Sequence, residues 1–531
     1  MLGCITLIKF ISAVAFAWVL SRSLGRISSK PRDPSSRSHI FLLVTAYSED
    51  EVGLRTTFDS MARTDYPEDH KVLFVIADGN VTGSGNDKST PELCLDLMDR
   101  DNEDIPLTYP SVGQGEKTVN QAKVYTGHYV TPDGLHRIPY VLVWKCGLDS
   151  ERQAGGGEKA GNRGKRDSQL ILMRWLSRVC FNQRLSPLEY ALFERVTRLG
   201  GGVTPDRYEM VLMVDADTLV MPDSVKYMVA AMERDPLVMG LCGETRISNK
   251  SQSWVTMIQV YEYYISHQLG KAFESIFGGV TCLPGCFCMY RIKSPRQDGY
   301  AVPVLANPDI VETYSSNDIS TLHRKNLLLL GEDRYLTTLM LRAFPKRKMI
   351  YVPKAVCRTM VPDQFSVLLS QRRRWINSTV HNLLELIQVS ELCGIFCCSM
   401  QFVIFLELTG TVVLPAALCF LLYLIIAACV GVNVTLPLVF MAAVFLLQAI
   451  LVLFTSRKPM YLVWMLIFIL AMPIWNFILP VYAFWHFDDF SWGATRQTSG
   501  GAGGGHEGGP AKEAGVIKEV EEKRWHEWKK E

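Results

Sequence analysis

The chain has 531 residues, of which 48% are hydrophobic and 10% aromatic, a composition that excludes a disordered or low-complexity protein. Its 55 lysines and arginines against 53 aspartates and glutamates give a formal net charge of +2, so overall charge does not indicate a nucleic-acid partner. The 14 cysteines either lie in apolar runs or lack the spacing of a zinc site, which is typical of small buried residues in a reducing compartment.

The first apolar run extends from Leu2 to about Leu20 and is followed by cations, beginning with Arg22 and Arg26. By the positive-inside tendency this pattern predicts a transmembrane helix over residues 1–21, with the following residues in the cytosol. A cleaved signal peptide is the alternative, although Lys9 interrupts the run and no clear A-x-A site follows it.

Residues 38–365 have the mixed composition of a folded cytosolic domain. Four short apolar runs with helical patterns between some of them predict buried strands of an α/β domain: His39–Ala46, Lys71–Ala77, Tyr140–Trp144 and Glu209–Val214. In an open parallel sheet of this kind, ligands bind beyond the carboxyl ends of the strands.

Acidic residues follow two of these strands. Asp78 taken alone is better explained by the tendency of aspartate to end strands and cap helices than by a functional role. Asp215 and Asp217 are different, because two carboxylates at positions i and i+2 repel each other unless a cation or a basic group lies between them. Mg²⁺ and Mn²⁺ prefer oxygen ligands and bridge carboxylates to phosphates, so the pair indicates a divalent cation on a phosphate.

Two further segments have both a structural and a functional interpretation. The stretch from Gly161 to Ser168 joins flexible glycines to cations that include Lys165 and Arg166, and forms either a solvated loop or a phosphate contact. Asp333 follows an apolar run and opens the helical pattern Tyr335–Leu341. It is either a charge in the first turn of that helix or an unprotonated base.

The segment Gln371-Arg372-Arg373-Arg374-Trp375 stands shortly before the membrane block and predicts an interfacial helix over 366–392. In one interpretation its cations face lipid head groups and Trp375 lies at the boundary. In the other, Trp375 turns toward a site as a flat apolar platform for a sugar ring.

Residues 393–486 are almost uncharged and predict transmembrane helices within roughly 393–430, 436–455 and 460–486. Glu407 and Pro415 lie inside the first piece, which is long for one span and short for two, so three or four crossings stay open. The sequon at Asn433 distinguishes them, because its glycosylation would indicate a lumenal loop and three crossings. The tail, 499–531, is Gly-rich and then rich in Lys and Glu, which predicts a flexible linker followed by a charged helix or a disordered end.

Several motifs in order along the chain resemble those of a fungal-type chitin synthase, a processive family-2 glycosyltransferase. They are Val44 to Glu49, Thr281 to Phe287, Gly331 to Leu336, Gln371 to Thr379 and Phe484 to Arg496. The resemblance implies a glycosyltransferase-A-like (Rossmann-like) cytosolic domain with interfacial helices and an α-helical transmembrane bundle. It also predicts a compact synthase, since no myosin-like or cytochrome-b5-like domain precedes residue 38.

By this resemblance the enzyme transfers N-acetylglucosamine from UDP-GlcNAc to the non-reducing end of a growing β-1,4-linked chitin chain, with inversion. Inversion by single displacement requires a base on the acceptor side and charge neutralisation on the leaving diphosphate. The family's pattern makes Asp333 the base and Asp217 the ligand of the Mn²⁺ or Mg²⁺ ion, with Asp215 beside it. Polymer export through the membrane helices is expected.

The remaining site residues also come from the resemblance. Those implied for the donor are Tyr47, Glu49, Asp78, Lys165, Arg166 and Asp215. Those implied for the acceptor are Trp375, Gln371, Arg372, Arg374, Pro284 and Gly285. The loop 487–498 is implied to gate the channel through Trp492, Thr495 and Arg496, which places it in the cytosol and favours an even number of C-terminal crossings.

The expected location is a plasma membrane or secretory vesicle, with the catalytic domain in the cytosol and a lipid bilayer around the helices. A homo-oligomer is left open. The alternatives are a related hyaluronan- or cellulose-type synthase, a non-processive transferase acting on a lipid phosphate, and a catalytically silent membrane scaffold. A channel or transporter is disfavoured by the size of the soluble segment and its acidic strand ends.

Overall fold

The computed structural model describes residues 38–100, 105–153, 159–295, 301–389, 392, 399–456, 458–491 and 520–530. The predicted N-terminal membrane helix and the gating residues Trp492, Thr495 and Arg496 lie outside these ranges.

The strands, β1 to β13 in chain order, are His39–Ala46, Lys71–Ala77, Asp99–Arg100, Leu107–Pro110, Val119–Val130, Arg137–Lys145, Tyr208–Asp215, Leu219–Val220, Val238–Ile247, Phe287–Arg291, Lys293–Pro295, Ala301–Pro303 and Lys348–Thr359. The helices of the first part of the chain, α1 to α8, are Glu51–Ala62, Thr90–Leu97, Asp149–Gln153, Lys165–Cys180, Pro187–Leu199, Ser224–Arg234, Trp254–Tyr264 and Lys271–Phe277. The later helices, α9 to α17, are Pro308–Ser315, Leu322–Leu330, Glu332–Ala343, Phe365–Ile387, Ser399–Cys429, Thr435–Ser456, Met460–Leu470, Leu479–Trp485 and Trp525–Trp528.

One large mixed sheet forms the centre of the soluble part, in the order β3-β5-β6-β2-β1-β7-β10-β9-β13-β8, with β4 beside β5. Its middle is parallel, because β6, β2, β1 and β7 pair in that sense. These are the four strands that the apolar runs predict, and β1 and β2 have the predicted bounds. The α/β prediction is therefore confirmed for this part of the sheet.

The flanks of the sheet differ from a doubly wound parallel sheet. β10 lies antiparallel between β7 and β9, and β5 lies antiparallel to β6 on the other side. None of the four apolar runs corresponds to β5, β9, β10 or β13. Strand order and direction are set by pairing between segments that are distant in the chain, which a local apolar pattern does not report.

Helices cover both faces of the sheet, so its central strands are buried on each side. Along β1, Phe41 and Leu43 belong to one core cluster, whereas Leu42 and Val44 belong to the other. Trp175 of α4 packs on Phe41 in the first cluster, with 5.9 Å between ring centroids. A strand that is apolar at every position therefore fits a central place, where each such side chain contributes about 1.5–3 kcal/mol by burial.

Past the sheet, α12 packs against α10, α11, α13 and α16. Among the described residues, Met400–Cys429 is long and apolar enough to cross a membrane, and Met460–Leu470 with Ile474–Trp485 forms a second candidate if this pair, bent by 53°, is one broken span. Phe402, Phe420 and Tyr423 are exposed on α13, as expected of side chains that face lipid. The number of crossings stays a prediction.

Residues 520–530, within the predicted flexible tail, lie against the soluble domain. Lys523 forms a β-bridge with Leu185, and Glu522 pairs with Arg178 at 2.7 Å. Trp528 stacks on Tyr190 of α5, with ring centroids 5.7 Å apart. This part of the tail therefore has a defined docking place at the end of α4.

Candidate functional site

A cavity of about 2520 Å³ opens at the carboxyl end of the parallel strands and continues to the apolar helices. It exceeds the roughly 300–1,000 Å³ of a typical small-ligand pocket, so it has room for a sugar nucleotide together with several further sugar units. All the predicted donor, acceptor, base and metal residues line it: Tyr47, Glu49, Asp78, Lys165, Arg166, Asp215, Asp217, Pro284, Gly285, Asp333, Gln371, Arg372, Arg374 and Trp375.

Lys165 joins the two acidic segments that the sequence separates by more than a hundred residues. Its ammonium lies 2.8 Å from Asp215 Oδ1 and 3.4 Å from Asp333 Oδ2. The lysine can reach both because α4 begins at Lys165, at the same sheet edge where β7 ends and α11 begins. The three groups form a charge cluster inside the cavity.

Asp215 and Asp217 have different surroundings. Burial raises the pKa of Asp215 to about 6, while Lys165 opposes that rise and the neighbouring carboxylates add to it. Asp217 Oδ1 accepts hydrogen bonds from the hydroxyls of Thr218 at 3.3 Å and Thr359 at 3.5 Å. Burial is the main cause of the raised pKa and the charges of Asp217 and Asp333 add to it, so a further cation at these carboxylates would favour the ionised form of Asp215.

The backbone at Gly285 fits closely against Asp333. A Cβ atom at position 285 would lie 1.8 Å from Asp333 Oδ2, where no side chain can be accommodated without moving the carboxylate. The requirement for glycine in the Leu283-Pro284-Gly285 segment is therefore steric. It keeps the cavity wall in direct contact with the carboxylate that opens α11.

Glu332 precedes Asp333 in the first turn of α11 and is buried. Burial, and then the charge of Asp333, raise the pKa of Glu332 to about 7. The first turn of a helix favours negative charge, yet two adjacent carboxylates in a desolvated place cannot both ionise at low cost.

Asp78 lies in a buried ion-pair network. Lys145 contacts Asp78 Oδ1 at 2.7 Å and Asp167 Oδ2 at 3.0 Å, and the backbone N–H of Arg163 donates to Asp78 at 3.0 Å. These contacts fix the loop that leads into α4. Asp78 therefore holds this loop in place, and a direct role toward a nucleotide stays a prediction.

Two further residues predicted for the donor, Tyr47 and Arg166, have separate environments. Burial, and then the charge of Asp78, raise the pKa of the Tyr47 hydroxyl, which Asn162 opposes by hydrogen bonding. Arg166 donates to the backbone carbonyl of Ser316 at 3.0 Å and to Asn317 Oδ1 at 3.2 Å. Arg166 thus binds the segment at Ser316 and Asn317 in the cavity wall, whereas its neighbour Lys165 contacts the carboxylates.

On α12, Arg372 forms a bidentate ion pair with Glu262, at 3.2 and 2.8 Å. Its guanidinium also lies over Trp375 at 4.3 Å and over Trp475 at 4.9 Å from the ring centroids. The cation is therefore held between aromatic rings and a carboxylate. This arrangement fixes the Trp375 ring in the wall of the cavity.

The neighbours of Arg372 point in different directions. Arg373 pairs with Asp489 and donates to Ser491 Oγ at 3.2 Å, which ties α12 to the residues after α16. Burial lowers the pKa of Arg374 to about 10, and the charge of Glu332 opposes this. Gln371 lines the cavity, and its buried Oε1 has no hydrogen-bond partner among the residues that the structure describes.

Sequence reasoning missed Gln169 and Glu262. Gln169 Nε2 donates to Asp333 Oδ1 at 3.1 Å. Because Gln169 follows Lys165 by four residues, helical spacing places both on one face of α4, a signal that was present in the sequence. The pairing of Glu262 with Arg372, which is 110 residues away, has no such local signal.

The family model described as Chitin synthase matches residues 21–531. The chain belongs to the chitin synthase family. Chitin synthase 3 of Candida albicans is 57% identical over 507 residues, which cover 93% of this chain and 41% of that protein. Chitin synthase 3 of Saccharomyces cerevisiae is 57% identical over 475 residues, which cover 87% of this chain and 40% of that protein. The chain thus spans about two fifths of the length of these chitin synthases.

Among solved structures, a mannosyltransferase from Pyrobaculum calidifontis in complex with GDP-Man and Mn²⁺ aligns over 92% of this chain and 99% of its own, with 15% identity and a TM-score of 0.42. That score is too low to establish a shared fold. The membership in the chitin synthase family is carried by the sequence relatives.

Proposed function

We propose that this chain is a chitin synthase that transfers N-acetylglucosamine from UDP-GlcNAc to the end of a growing β-1,4-linked chain and exports the product through its helices. The single observation that carries the proposal is the cavity lined by Asp215, Asp217 and Asp333 at the sheet edge and by Trp375 toward the apolar helices. It contains the acidic groups that the reaction needs and the space for a polymer. Family membership supports the choice of substrate.

Asp333 is proposed as the base that takes the proton from the acceptor hydroxyl. Its carboxylate is 23% exposed and receives hydrogen bonds from Gln169 and Lys165, which favour the ionised form that a base requires. Gly285 packs directly against this carboxylate and has no side chain that would displace it.

The donor diphosphate is proposed to bind beside Lys165, Asp215 and Asp217. In the described part of the chain, no three His, Cys, Asp or Glu side chains converge as a metal site, so the protein offers few ligands of its own. That donor set fits Mg²⁺ or Mn²⁺, which commonly take one or two carboxylates and complete their coordination with phosphate and water. Asp217 would hold the ion, which when bound neutralises charge on the leaving diphosphate.

The acceptor is proposed to stack on Trp375 in the cavity wall. Arg372 and Glu262 hold the ring from behind, so the indole face is positioned before any sugar arrives. Pro284 and Gln371 lie on the same cavity, and Gln371 has a buried acceptor oxygen that a sugar hydroxyl can satisfy.

The export route is proposed to follow the cavity into the apolar helices, where its lining includes Glu407 and Thr411 of α13 and Gln448 of α14. Polar side chains on helices of this composition are costly unless they face water, protein or a polar substrate. A hydrophilic chain supplies that environment. Sealed vesicles with UDP-GlcNAc outside test this step: labelled polymer inside supports export, and polymer only on the donor side contradicts it.

The test of the whole function is the product made by the purified chain in lipid nanodiscs with UDP-GlcNAc and Mn²⁺ or Mg²⁺. We expect an insoluble polymer that chitinase degrades, abolished by chelation of the cation. Asp333→Asn is expected to lower the rate by about 10²–10⁴-fold, the usual cost of losing a positioned base. Asp65→Asn, at an exposed ion pair with Lys226, is the control and should retain activity.

The alternatives predict other results. A hyaluronan- or cellulose-type enzyme would yield a polymer that resists chitinase, and a lipid-phosphate transferase would yield a short product. A silent scaffold would give no product from wild type.

A further inference from the structure

The carboxylate of Asp333 is held at both oxygens by one helix. Lys165 Nζ lies 3.4 Å from Oδ2, and Gln169 Nε2 donates to Oδ1 at 3.1 Å. The two donors are one turn apart on α4. The Gln169 amide is thus closer to the Asp333 carboxylate than the Lys165 ammonium is. Lys165 makes its own shortest contact, 2.8 Å, with Asp215.

Gln169 is itself fixed by a second buried side chain. The hydroxyl of Tyr314 lies 2.6 Å from Gln169 Oε1 and 3.2 Å from the backbone carbonyl of Glu332. Gln169 is 1% exposed and Tyr314 is completely buried. The phenol therefore connects the amide of α4 with the residue that precedes Asp333 on α11.

The chemistry of these partners determines which way the amide faces. Gln169 Nε2 has Asp333 Oδ1 at 3.1 Å and the sulfur of Met213 at 3.8 Å, and both are acceptors. The reversed amide would set its carbonyl oxygen against an ionised carboxylate and leave two N–H groups facing the phenol. The observed arrangement directs the Nε2 donors toward Asp333 and Met213 and places Oε1 against the phenol hydroxyl of Tyr314. The burial of Tyr314 raises the pKa of its hydroxyl well above the ordinary value, which keeps it a donor.

We propose that Gln169, oriented by Tyr314, is a positioning residue for the reaction: it fixes the rotation of the Asp333 carboxylate and holds it ionised for the acceptor proton. This inference rests on the proposed function of Asp333 as the base. Gln169 and Tyr314 act through the base, and neither side chain lines the cavity. The order of action is Tyr314 on Gln169, and Gln169 on Asp333.

The experiment compares Gln169→Met, Tyr314→Phe and a matched control, Gln259→Met. Methionine keeps the length of the glutamine side chain and removes its N–H donor. Gln259 is also fully buried and donates to the carbonyls of Val255 and Pro362, at 2.9 Å each, without touching the carboxylate cluster. The loss of a buried amide as such is therefore common to Gln169→Met and the control.

For Gln169→Met we expect kcat to fall about 10- to 100-fold, the range for a hydrogen bond to a charged group, with KM for UDP-GlcNAc within about twofold of wild type. The acid limb of the pH–rate profile should move to higher pH, because the ionised carboxylate has lost a donor. Tyr314→Phe, which keeps the ring and is the milder change, should show the same direction with a smaller loss. Gln259→Met should keep kcat and the pH profile.

The outcomes distinguish a failure of the proposed function from a failure of the positioning role of Gln169. A wild-type chain that makes no polymer would refute the proposed function. Polymer from wild type with unchanged kcat and pH profile in Gln169→Met, or equal losses in Gln169→Met and Gln259→Met, would overturn the positioning role alone. If Gln169→Met does not fold, Tyr314→Phe decides: a wild-type pH profile there contradicts the proposal.

Discussion

The chain has two cation-rich helical segments beside the cavity, at the start of α4 and in the middle of α12, and they use their charges differently. Lys165 on α4 contacts Asp215 and Asp333, which face the cavity. Arg372 on α12 is bound to Glu262 and enclosed by aromatic rings. Two cation-rich motifs in one cavity therefore place their cations differently: Lys165 lies among carboxylates that line the cavity, and Arg372 lies within the cavity wall.

Lys165→Met is the strongest test of this difference between Lys165 and Arg372. It removes the cation between two carboxylates in the cavity, so we expect activity to fall about 10²–10³-fold, the usual effect of removing a group that stabilises developing charge. Thermal unfolding should report a smaller loss of stability than in Arg372→Met, because Asp215 and Asp333 are more exposed than Glu262. Lys226→Met, at an exposed ion pair, is the control. Activity within a factor of two in Lys165→Met would show that this cation is structural, like Arg372.

Gly285→Ala tests the steric side of the same cluster. A Cβ atom would lie 1.8 Å from Asp333 Oδ2, so the carboxylate has to move by more than an ångström. Such a displacement costs about 10²-fold in rate, which steady-state kinetics on the folded variant should report. Gly410→Ala is the matched control, because nothing lies within 4 Å of a Cβ at that position. Equal activity of the two variants would contradict the close fit.

Arg372→Met tests whether the cation within the cavity wall stabilises the fold. It leaves Glu262 without its bidentate partner, and because that carboxylate is 18% exposed we expect a loss near the lower end, about 3 kcal/mol of unfolding free energy. Denaturant unfolding measures it. The double variant Glu262→Met with Arg372→Met should recover part of this loss. A large fall in kcat without destabilisation would assign Arg372 a direct role and weaken the contrast.

The smallest effect is expected at the far end of α4, where Arg178 pairs with Glu522 of the docked C-terminal segment. Trp528→Ala removes the stacking on Tyr190 and the hydrogen bond from Nε1 to the Leu185 carbonyl. We expect a stability loss of about 1 kcal/mol, faster proteolysis near residue 520 and activity within about twofold of wild type. A tenfold loss of activity would show that docking at this end controls Lys165 at the other.

Local patterns predicted the elements whose identity depends on local composition. The runs His39–Ala46 and Lys71–Ala77 are strands with those bounds because an unbroken apolar stretch fits a strand covered on both faces. The antiparallel β10 was not predicted, since its place between β7 and β9 depends on pairing across distant parts of the chain. The predicted site residues that the structure describes share one cavity, and their individual roles stay predictions.

What the sequence could not supply at the site was the set of partners. No sequence pattern near Arg372 predicts its contact with Glu262, and none near Asp333 predicts the contact of Tyr314 with the first turn of α11. Both contacts arise from packing between separate helices. Gln169 is the exception. Its spacing of four residues from Lys165 was sufficient to place it on the same face of α4, had the helix been extended through it.

The contact between Gly331 and α12 has a mechanical consequence. A Cβ at position 331 would lie 1.6 Å from Ser378 Oγ, and Thr338 of α11 is hydrogen-bonded to Asn382 of α12 at 3.1 Å. The start of α11 and the middle of α12 are therefore in direct contact. A displacement of α12 at Ser378 would therefore be transmitted to Gly331, directly before Glu332 and Asp333, so the position of these carboxylates depends on the position of the helix that bears Trp375.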